Sequence, residues 1–368
     1  MRSNGMTIPL VAGATLRLLE LPARADAAPS PLIRAYTAVR NASLAEETGR
    51  TDDAVTAETM LPLLYSDADV ARTQWYIERG GEVIGCVPLN VYQDDDAATA
   101  MGTIALLRKH WGQGIGTAAL SHVEHFARDK GLRKLLCWNE HHEQGAVGTV
   151  PSPTGFGTVP NDHTARFLQR HGFTLEQIER ASTLVWDPTT RRRLQDLHAD
   201  AVAHATDYRI VQWMLPTPEE FIDGYAWLKS RMSTDVPDAE LGMPIETWDA
   251  DRVRRHDARY AGKGETVQVT AAEHIATGEL CAFNELVIDQ HPTSKTDQRD
   301  TLVLSGHRGH RLGMLLKTAG LLSWREQHPD SPHVMTYNAE ENRPMLSINE
   351  AIGFAPIAYE GAWKKVLR

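Results

Sequence analysis

The amino-acid sequence predicts an α/β protein in which one structural unit occurs twice. The first unit is an apolar strand at residues 103–107, a loop containing Gly112, Gly114 and Gly116, and an amphipathic helix. The same order of strand, glycine-rich loop and helix returns at residues 301–319. Because a whole order of elements is repeated, the pattern indicates two similar domains in tandem rather than a chance match.

The two units also continue alike after their helices. An apolar strand ends in an aromatic–Asn pair, Trp138-Asn139 in the first unit and Tyr337-Asn338 in the second. A short helix then ends in Gly-Phe, at Gly172-Phe173 and at Gly353-Phe354. We therefore expect both domains to have the same fold.

The predicted domains are residues 1–187 and 207–368, joined by a polar helical linker at 188–206. Before each glycine loop we expect a short strand, two helices and two strands. They are predicted at 16–21, 32–45, 57–71, 73–78 and 83–91 in the first domain, and at 208–214, 218–231, 247–260, 266–271 and 280–288 in the second, with a last strand at 363–367. An insertion between Asn139 and Asn161 is rich in proline and glycine, and we expect a loop without regular structure that overhangs the first site.

The glycine loops have the chemistry of an anion site. Glycine lets the backbone approach a ligand closely, and the first amides of a helix have no partner within the helix, so they can bind an anion. A single loop of this kind is often only a turn between a strand and a helix, and it is the second copy that favours a binding role. The predicted ligand group is a diphosphate.

At these loops the chain resembles the GNAT (Gcn5-related N-acetyltransferase) superfamily, and its tandem two-domain members in particular. The signature of that family is Arg/Gln-x-x-Gly-x-Gly/Ala. The first copy, Trp111-Gly112-Gln113-Gly114-Ile115-Gly116, keeps both glycines and lacks the basic residue. The second, Arg308-Gly309-His310-Arg311-Leu312-Gly313, keeps the arginine and replaces the first glycine with Arg311. The resemblance implies two tandem GNAT-like domains of α/β (α+β) class, each a mixed, mostly antiparallel sheet flanked by helices.

The resemblance also implies that acetyl-CoA is a cosubstrate and that the loop amides hold its pyrophosphate. The candidate cofactor-binding residues are Gly112, Gln113, Gly114, Ile115, Gly116 and Thr117 in the first copy, and Arg308, Gly309, His310, Arg311, Leu312, Gly313, Asn338 and Asn342 in the second. We expect tighter binding at the second loop, because a guanidinium adds charge-assisted hydrogen bonds to those of the amides. Gly114 opposes this expectation, since it permits a closer approach than Arg311.

The same resemblance places the reacting thioester in a gap between two central strands that diverge beyond the loop. A base for the acceptor amine then belongs on the strands before the loop, where Glu285 and Asp300 are carboxylates in or beside apolar strands. A structural role as satisfied acids at strand ends is the alternative for both. Many family members have a tyrosine seven residues after an Asn as the proton donor to the thiolate. Counted in this way, Asn342 leads to Asn349 and Asn161 leads to Leu168, so the tyrosine is missing and Asn349 can only orient by hydrogen bonding.

Composition and charge argue against several other functions for the protein. The chain has 368 residues, of which 42% are hydrophobic and 23% charged, and no apolar run has the roughly 18 residues of a membrane helix. Its net charge of −10 repels nucleic acid at long range, although basic runs occur at 191–193 and 252–255.

Three widely spaced cysteines and the absence of a signal-peptide pattern favour a cytoplasmic protein. We expect no metal site, because His141 and His142 have no third ligand at suitable spacing; the acidic run 94–96 is interpreted as a solvated turn.

The leading hypothesis is an N-acyltransferase that moves acetyl from acetyl-CoA directly to the amine of a small molecule within a ternary complex. Two alternatives stay open. One is a GNAT-like transferase of natural-product biosynthesis that uses an aminoacyl-tRNA as donor, and the other is a non-catalytic module that only binds a ligand. The second domain is favoured as the catalytic one. The acceptor, the general acid and the oligomeric state are left open by the sequence.

Overall fold

In the computed structural model of the protein, the described residues are 7–93 and 98–367. The predicted turn at 94–96 lies outside them. The described residues form one continuous sheet of fourteen strands and a separate two-stranded hairpin. The mixed α/β fold with two tandem units is thereby confirmed. None of the helices described has the length and apolar character needed to cross a membrane.

The first half contains ten strands and four helices within the described residues. In chain order they are β1 (Thr7–Pro9), β2 (Ala14–Leu18), α1 (Pro31–Thr48), α2 (Ala57–Leu63), β3 (Val70–Arg79), β4 (Glu82–Tyr92), β5 (Thr99–Gly102), β6 (Ala105–Leu106), α3 (Ile115–Asp129), β7 (Lys134–Glu140), β8 (Thr149–Pro151), β9 (Thr158–Pro160), α4 (His163–Arg170) and β10 (Thr174–Val185). Helix α1 begins where the Ser30 hydroxyl caps the amide of Ile33, and it ends at Gly49 in the left-handed conformation.

A linking helix precedes the second half and lies within the predicted linker. The elements are α5 (Thr190–His204), β11 (Tyr208–Met214), α6 (Glu219–Asp235), α7 (Ala250–Gly262), β12 (Thr266–His274), β13 (Glu279–Ile288), β14 (Thr296–Val303), α8 (Leu312–Gln327), β15 (His333–Ala339), α9 (Arg343–Ile352) and β16 (Ala355–Val366). The second half therefore repeats the order of the first, including a helix after each glycine loop and a short helix after the next strand.

Three local predictions were wrong. Helix α2 ends at Leu63 rather than near residue 71, because the Asp67 carboxylate accepts from the amides of Asp69 and Val70 and turns the chain into β3. The strand predicted at 103–107 is interrupted: β4 pairs with β5 and then with β6, and Pro88 between these pairings has no amide to donate.

The third wrong prediction concerns the insertion after Asn139. It contains regular structure, since β8 and β9 form an antiparallel hairpin in which Val150 pairs with Val159. Val159 is fully buried and belongs to the core of the first half, whereas Phe156 at the turn is exposed. The insertion is therefore anchored to the domain at its base.

The two halves exchange their last strands. Strand β16, from the end of the chain, lies between β7 and β10, and Trp363 pairs with Cys137 of the first half. Strand β10, from the first half, pairs on its other edge with β15, where Ser182 opposes Thr336. Each half thus completes the sheet of the other, and the interface between them is a run of continuous backbone hydrogen bonds.

The central strands diverge in both halves, as the GNAT resemblance implied. Strands β5 and β7 pair in parallel only up to Met101, and β7 continues to Glu140. Strands β14 and β15 pair only at Thr296 and Asp297, although both run several residues further. A gap therefore opens in each half beside the glycine loop.

Candidate active site and the two glycine loops

The two loops have nearly the same backbone. Trp111 has φ −68° and ψ 160°, and Arg308 has φ −72° and ψ 157°. Each donates a side-chain N–H to the carbonyl oxygen five residues earlier: Trp111 Nε1 to Leu106 at 2.7 Å and Arg308 Nε to Val303 at 3.1 Å. The loops are therefore equivalent in backbone, and they differ in their side chains and in the residues that surround them.

The first loop is covered by its neighbours. The Trp111 ring stacks on His163, with 4.3 Å between the ring centroids and 10° between the planes. A Cβ at Gly114 would lie 3.3 Å from Val11 Cγ2, so the chain before β2 lies against the loop. The side-chain oxygen of Gln113 accepts from Arg79 at 2.7 Å. A diphosphate would have to displace several of these groups.

The cavities near the first loop also disfavour an anion. The gap beside β5 holds a narrow cavity of about 70 Å³ with apolar walls that include Phe167 and Leu168. A larger cavity of about 700 Å³ beside Trp111 is lined by five carboxylates, those of Glu46, Glu47, Glu140, Glu143 and Asp162. Arg108 also lines this cavity and Arg50 pairs with Glu140, but the carboxylates outnumber these cations, so the cavity disfavours phosphate groups. Gly116 contacts Phe167 rather than open space, Ile115 is a buried core residue, and Thr117 hydrogen-bonds His171 at 3.0 Å.

The second loop opens on a cavity of about 610 Å³. Its walls include the loop residues Arg308, Gly309, Arg311, Leu312 and Gly313, and the residues Asn342, Met345 and Ile348 in and before α9. At Gly309, φ is 91°, and a Cβ there would meet nothing within 4 Å. The structure thus brings most of the predicted second cofactor site together around one cavity. His310 is placed differently, since its ring packs against Tyr208 at 5.3 Å between centroids.

The two arginines of the second loop differ in how far their charge is engaged. Arg308 is exposed, and its guanidinium donates to two backbone carbonyls, of Val303 and of Asp235. Arg311 forms an ion pair with Asp200 of α5. It also has φ 55°, a left-handed conformation that costs a non-glycine residue about 1–2 kcal/mol. Arg308 is therefore the cation with more charge available to an anionic ligand.

A polar cavity of about 640 Å³ adjoins the 610 Å³ cavity at the second loop. Val236 and Pro237 line both cavities. The Gln177 amide, from β10, donates to Glu341 at 2.6 Å and to the Pro237 carbonyl at 3.2 Å, which joins the walls of the two cavities. Residues of both halves line the polar cavity, among them Trp138 and Glu179 from the first and Glu285 and Asp300 from the second.

Glu285 and Asp300, the two predicted bases, meet on one buried ammonium. Lys229 Nζ lies 3.1 Å from Glu285 and 2.6 Å from Asp300, and Tyr225 donates its hydroxyl proton to Glu285. Burial would raise the pKa of Asp300, but the Lys229 ammonium outweighs it and holds this pKa below its ordinary value. Burial also opposes the charge of Lys229, yet the carboxylates of Asp300 and Glu285 raise its pKa well above the usual one.

Asn338, which is half-buried, and Asn349, which is buried, form a polar chain with a residue that the sequence pattern did not single out. Asn349 donates to the Asn338 side-chain oxygen at 2.7 Å and accepts from Lys317 Nζ at 2.7 Å. Lys317 is fully buried, and burial lowers its pKa to about 7. Its place in the apolar stripe of α8, beside Leu316 and Thr318, is a signal by which the sequence could have revealed it.

Two further residues of the site were missed. Lys229 lies four residues after Tyr225 on the buried face of α6, where a lone lysine in an apolar stripe requires an anionic partner. Glu179 lies inside β10 and lines the polar cavity, but nothing local in the sequence connects this strand to a cavity of the other half. His141, considered for a metal, instead contacts Asp162 at 3.1 Å and Trp363 at 3.0 Å.

Comparison with known proteins supports this architecture. Residues 39–156 match the model of the acetyltransferase (GNAT) family. A solved tandem GNAT protein from the clavulanic acid biosynthesis pathway is 24% identical, with 96% of this chain and 99% of that chain covered and a TM-score of 0.70. The chain has a tandem GNAT fold. A GCN5-related N-acetyltransferase from Sphaerobacter thermophilus also shares this tandem GNAT fold at 13% identity, with coverage of 95% and 98% and a TM-score of 0.58. No curated protein sequence gives a significant match.

Proposed function

We propose that this tandem GNAT protein is an N-acyltransferase that transfers acetyl from acetyl-CoA to the amine of a small molecule, directly in a ternary complex, and that the second half performs the reaction. The observation that carries the proposal is the contact of two cavities at Val236 and Pro237. One, which we call the donor cavity, has the second glycine loop in its wall. The other is the polar cavity, which is lined by charged residues. A donor and an acceptor bound in them would meet at the gap beside β14.

The second loop fits the diphosphate of acetyl-CoA. Gly309 leaves open space for close approach, and the amides at the start of α8 would bind phosphate oxygens together with Arg308. Asn342, Met345 and Ile348 would line the path of the pantetheine chain. Acetyl-CoA is a substrate here and supplies an activated acyl group, while the chain positions the donor and the acceptor.

The acceptor is proposed to be a small molecule because the polar cavity lies between the two halves. The basic runs offer little free charge to a tRNA donor: Arg252 and Arg255 bond to Asp69, Arg254 to Glu219, and Arg191 to Glu326. The cysteines are unpaired and buried, which accords with a protein that acts in the reducing cytosol.

The test is calorimetry with acetyl-CoA, followed by release of the CoA thiol with a panel of amino acids, amino sugars and polyamines. Ile348→Trp fills the donor cavity at the second loop and is expected to abolish binding. Phe167→Trp is the matched control, since Phe167 contacts Gly116 as Ile348 contacts Gly313, and it is expected to bind as the wild type does.

Three results would contradict the proposal. Binding lost in Phe167→Trp and kept in Ile348→Trp would place the donor in the first half. No binding and no thiol release with any amine would favour a ligand-binding module, and activity that requires added aminoacyl-tRNA and is destroyed by ribonuclease would favour the tRNA donor.

A further inference from the structure

Glu179 is a carboxylate of the polar cavity that has no cationic partner among the described residues. Its Oε1 accepts from Trp138 Nε1 at 2.8 Å, and no lysine, arginine or histidine of the described chain pairs with it. Asp238, which also lines the cavity without an ion pair, accepts from the backbone amide of Met243 at 3.1 Å. The other carboxylates that the sequence favoured are engaged, because Lys229 forms an ion pair with both Glu285 and Asp300 and the Tyr225 hydroxyl donates to Glu285. A carboxylate without an ion pair is free to accept a proton or to bind an incoming ammonium.

The fold places Glu179 beside the meeting point of the two cavities. On β10 it opposes Ala339, the last residue of β15, at the end where β14 and β15 have diverged. Gln177, two residues earlier, bonds to Glu341 and to Pro237, which line the donor cavity. Strand β10 belongs to the first half, so strand exchange is what brings this carboxylate to the site of the second.

The neighbouring titratable groups leave Glu179 suited to proton transfer. Burial raises its pKa, and the charge of Glu341 adds to this, while the Trp138 hydrogen bond opposes it. On the other side, Glu360 of β16 is in register with Glu179, and burial together with Glu179 itself raises the pKa of Glu360 to about 8. Glu360 is therefore mostly protonated at neutral pH, so Glu341 is the carboxylate neighbour whose charge acts on Glu179. Across the cavity lie Lys229, Glu285 and Asp300, held to one another.

We infer that Glu179 is the general base for the acceptor, a primary amine that enters the polar cavity as an ammonium ion. The ammonium gives one proton to the Glu179 carboxylate, which later releases it to water. The neutral amine then attacks the thioester carbonyl carbon, the C–N bond forms and the C–S bond breaks, and a second amine proton goes to the departing thiolate. The products are the amide and free CoA. The inference rests on the proposed function and assigns the base to the half that does not hold the donor.

The experiment compares Glu179→Gln, which keeps an oxygen for the Trp138 hydrogen bond, with Glu285→Gln, Asp300→Asn and the wild type. The assay is thiol release from acetyl-CoA with the amine panel. Glu179→Gln is expected to lower kcat by about 10²–10⁴-fold, the usual contribution of a general base, with unchanged acetyl-CoA affinity by calorimetry. Glu179→Asp is expected to restore part of the rate. The control is Glu279→Gln, at the exposed start of β13, which should behave as the wild type.

The pH profile gives a second readout. The wild-type rate is expected to rise with pH as Glu179 loses its proton, and Glu179→Gln should lose this limb. A Glu179→Gln rate within a few-fold of wild type, or a loss of more than a hundredfold confined to Glu285→Gln or Asp300→Asn, would overturn the assignment while leaving acyl transfer intact. Wild-type protein that binds acetyl-CoA but releases no thiol with any amine would overturn the proposed function, and the base with it.

Discussion

The two glycine loops of this protein share a backbone but differ in access. The first keeps both glycines of the GNAT signature and lies within the matched residues 39–156, yet Trp111, His163 and Val11 cover it. The second has lost a glycine and lies outside that match, yet it opens on a cavity of about 610 Å³. The signature therefore specifies a loop conformation, whereas residues outside it determine whether a ligand can enter.

The interiors beneath the loops differ in the same way. Lys317 of the second half corresponds to Leu120 of the first, since each lies four residues after the last glycine of its loop. Asn349 corresponds to Leu168, since each lies seven residues after the Asn that precedes the next short helix. Leu120 and Leu168 are both buried in the apolar core. Lys317 and Asn349 are also buried but are joined by a hydrogen bond of 2.7 Å. At these two positions the first half has apolar core packing, whereas the second half has a buried polar pair whose desolvation costs free energy.

Removing the guanidinium of the second loop tests whether its charge accounts for the difference between the loops. Arg308→Ala should weaken acetyl-CoA binding by about tenfold to a hundredfold, because charge-assisted hydrogen bonds contribute about 1.5–3 kcal/mol. Calorimetry measures the change. The companion variant Trp111→Arg puts the same guanidinium on the first loop, and we expect no comparable gain while Val11 still lies against it. A gain there equal to the loss at Arg308 would show that charge, and not access, separates the loops.

A second effect concerns the buried polar pair. The pKa of Lys317 is about 7 in the folded protein and its ordinary value is 10.5, so the unfolded chain binds more protons between these values and stability must rise with pH there. The slope is roughly 1.4 kcal/mol per pH unit at most. Lys317→Leu with Asn349→Leu reproduces the residues of the first half and should remove this slope.

Urea unfolding of the wild type and the double variant at several pH values between 6 and 9 measures the difference. Leu120→Met serves as the control for a core change in the first half and should leave the slope as it is. Identical slopes in the wild type and the double variant would mean that Lys317 stays charged in the folded protein.

The smallest expected effect concerns Arg311. Arg311→Gly removes a left-handed arginine that costs about 1–2 kcal/mol and an ion pair, half exposed on both sides, that contributes about 0–1 kcal/mol. After the added backbone entropy of glycine, the net gain in unfolding free energy should be at most about 1 kcal/mol. Gly114→Arg should destabilise the first loop, where φ is 78°. A tenfold loss of acetyl-CoA affinity in Arg311→Gly would show instead that Arg311 contacts the donor despite Asp200.

The repeated order of elements, both glycine loops and most of the strands and helices could be predicted from the sequence. These features depend on local periodicity and on glycines that adopt positive φ. It also identified Glu285, Asp300 and Asn349 as residues to examine, since a polar side chain in an apolar stretch is visible without a structure. What each of them contacts was not visible. Lys229 is 56 residues from Glu285 and 71 from Asp300 along the chain.

Which loop is open, and which half supplies each wall of the polar cavity, depends on contacts between residues far apart in the chain. Covering of the first loop depends on Val11 and His163, on opposite sides of it in the sequence. The place of Glu179 beside the second site depends on β10 and β16 exchanging between the halves. Strand pairing of this kind joins residues far apart in the chain through backbone hydrogen bonds, which nearly every residue can form. A local pattern of side chains therefore does not reveal which strands will pair.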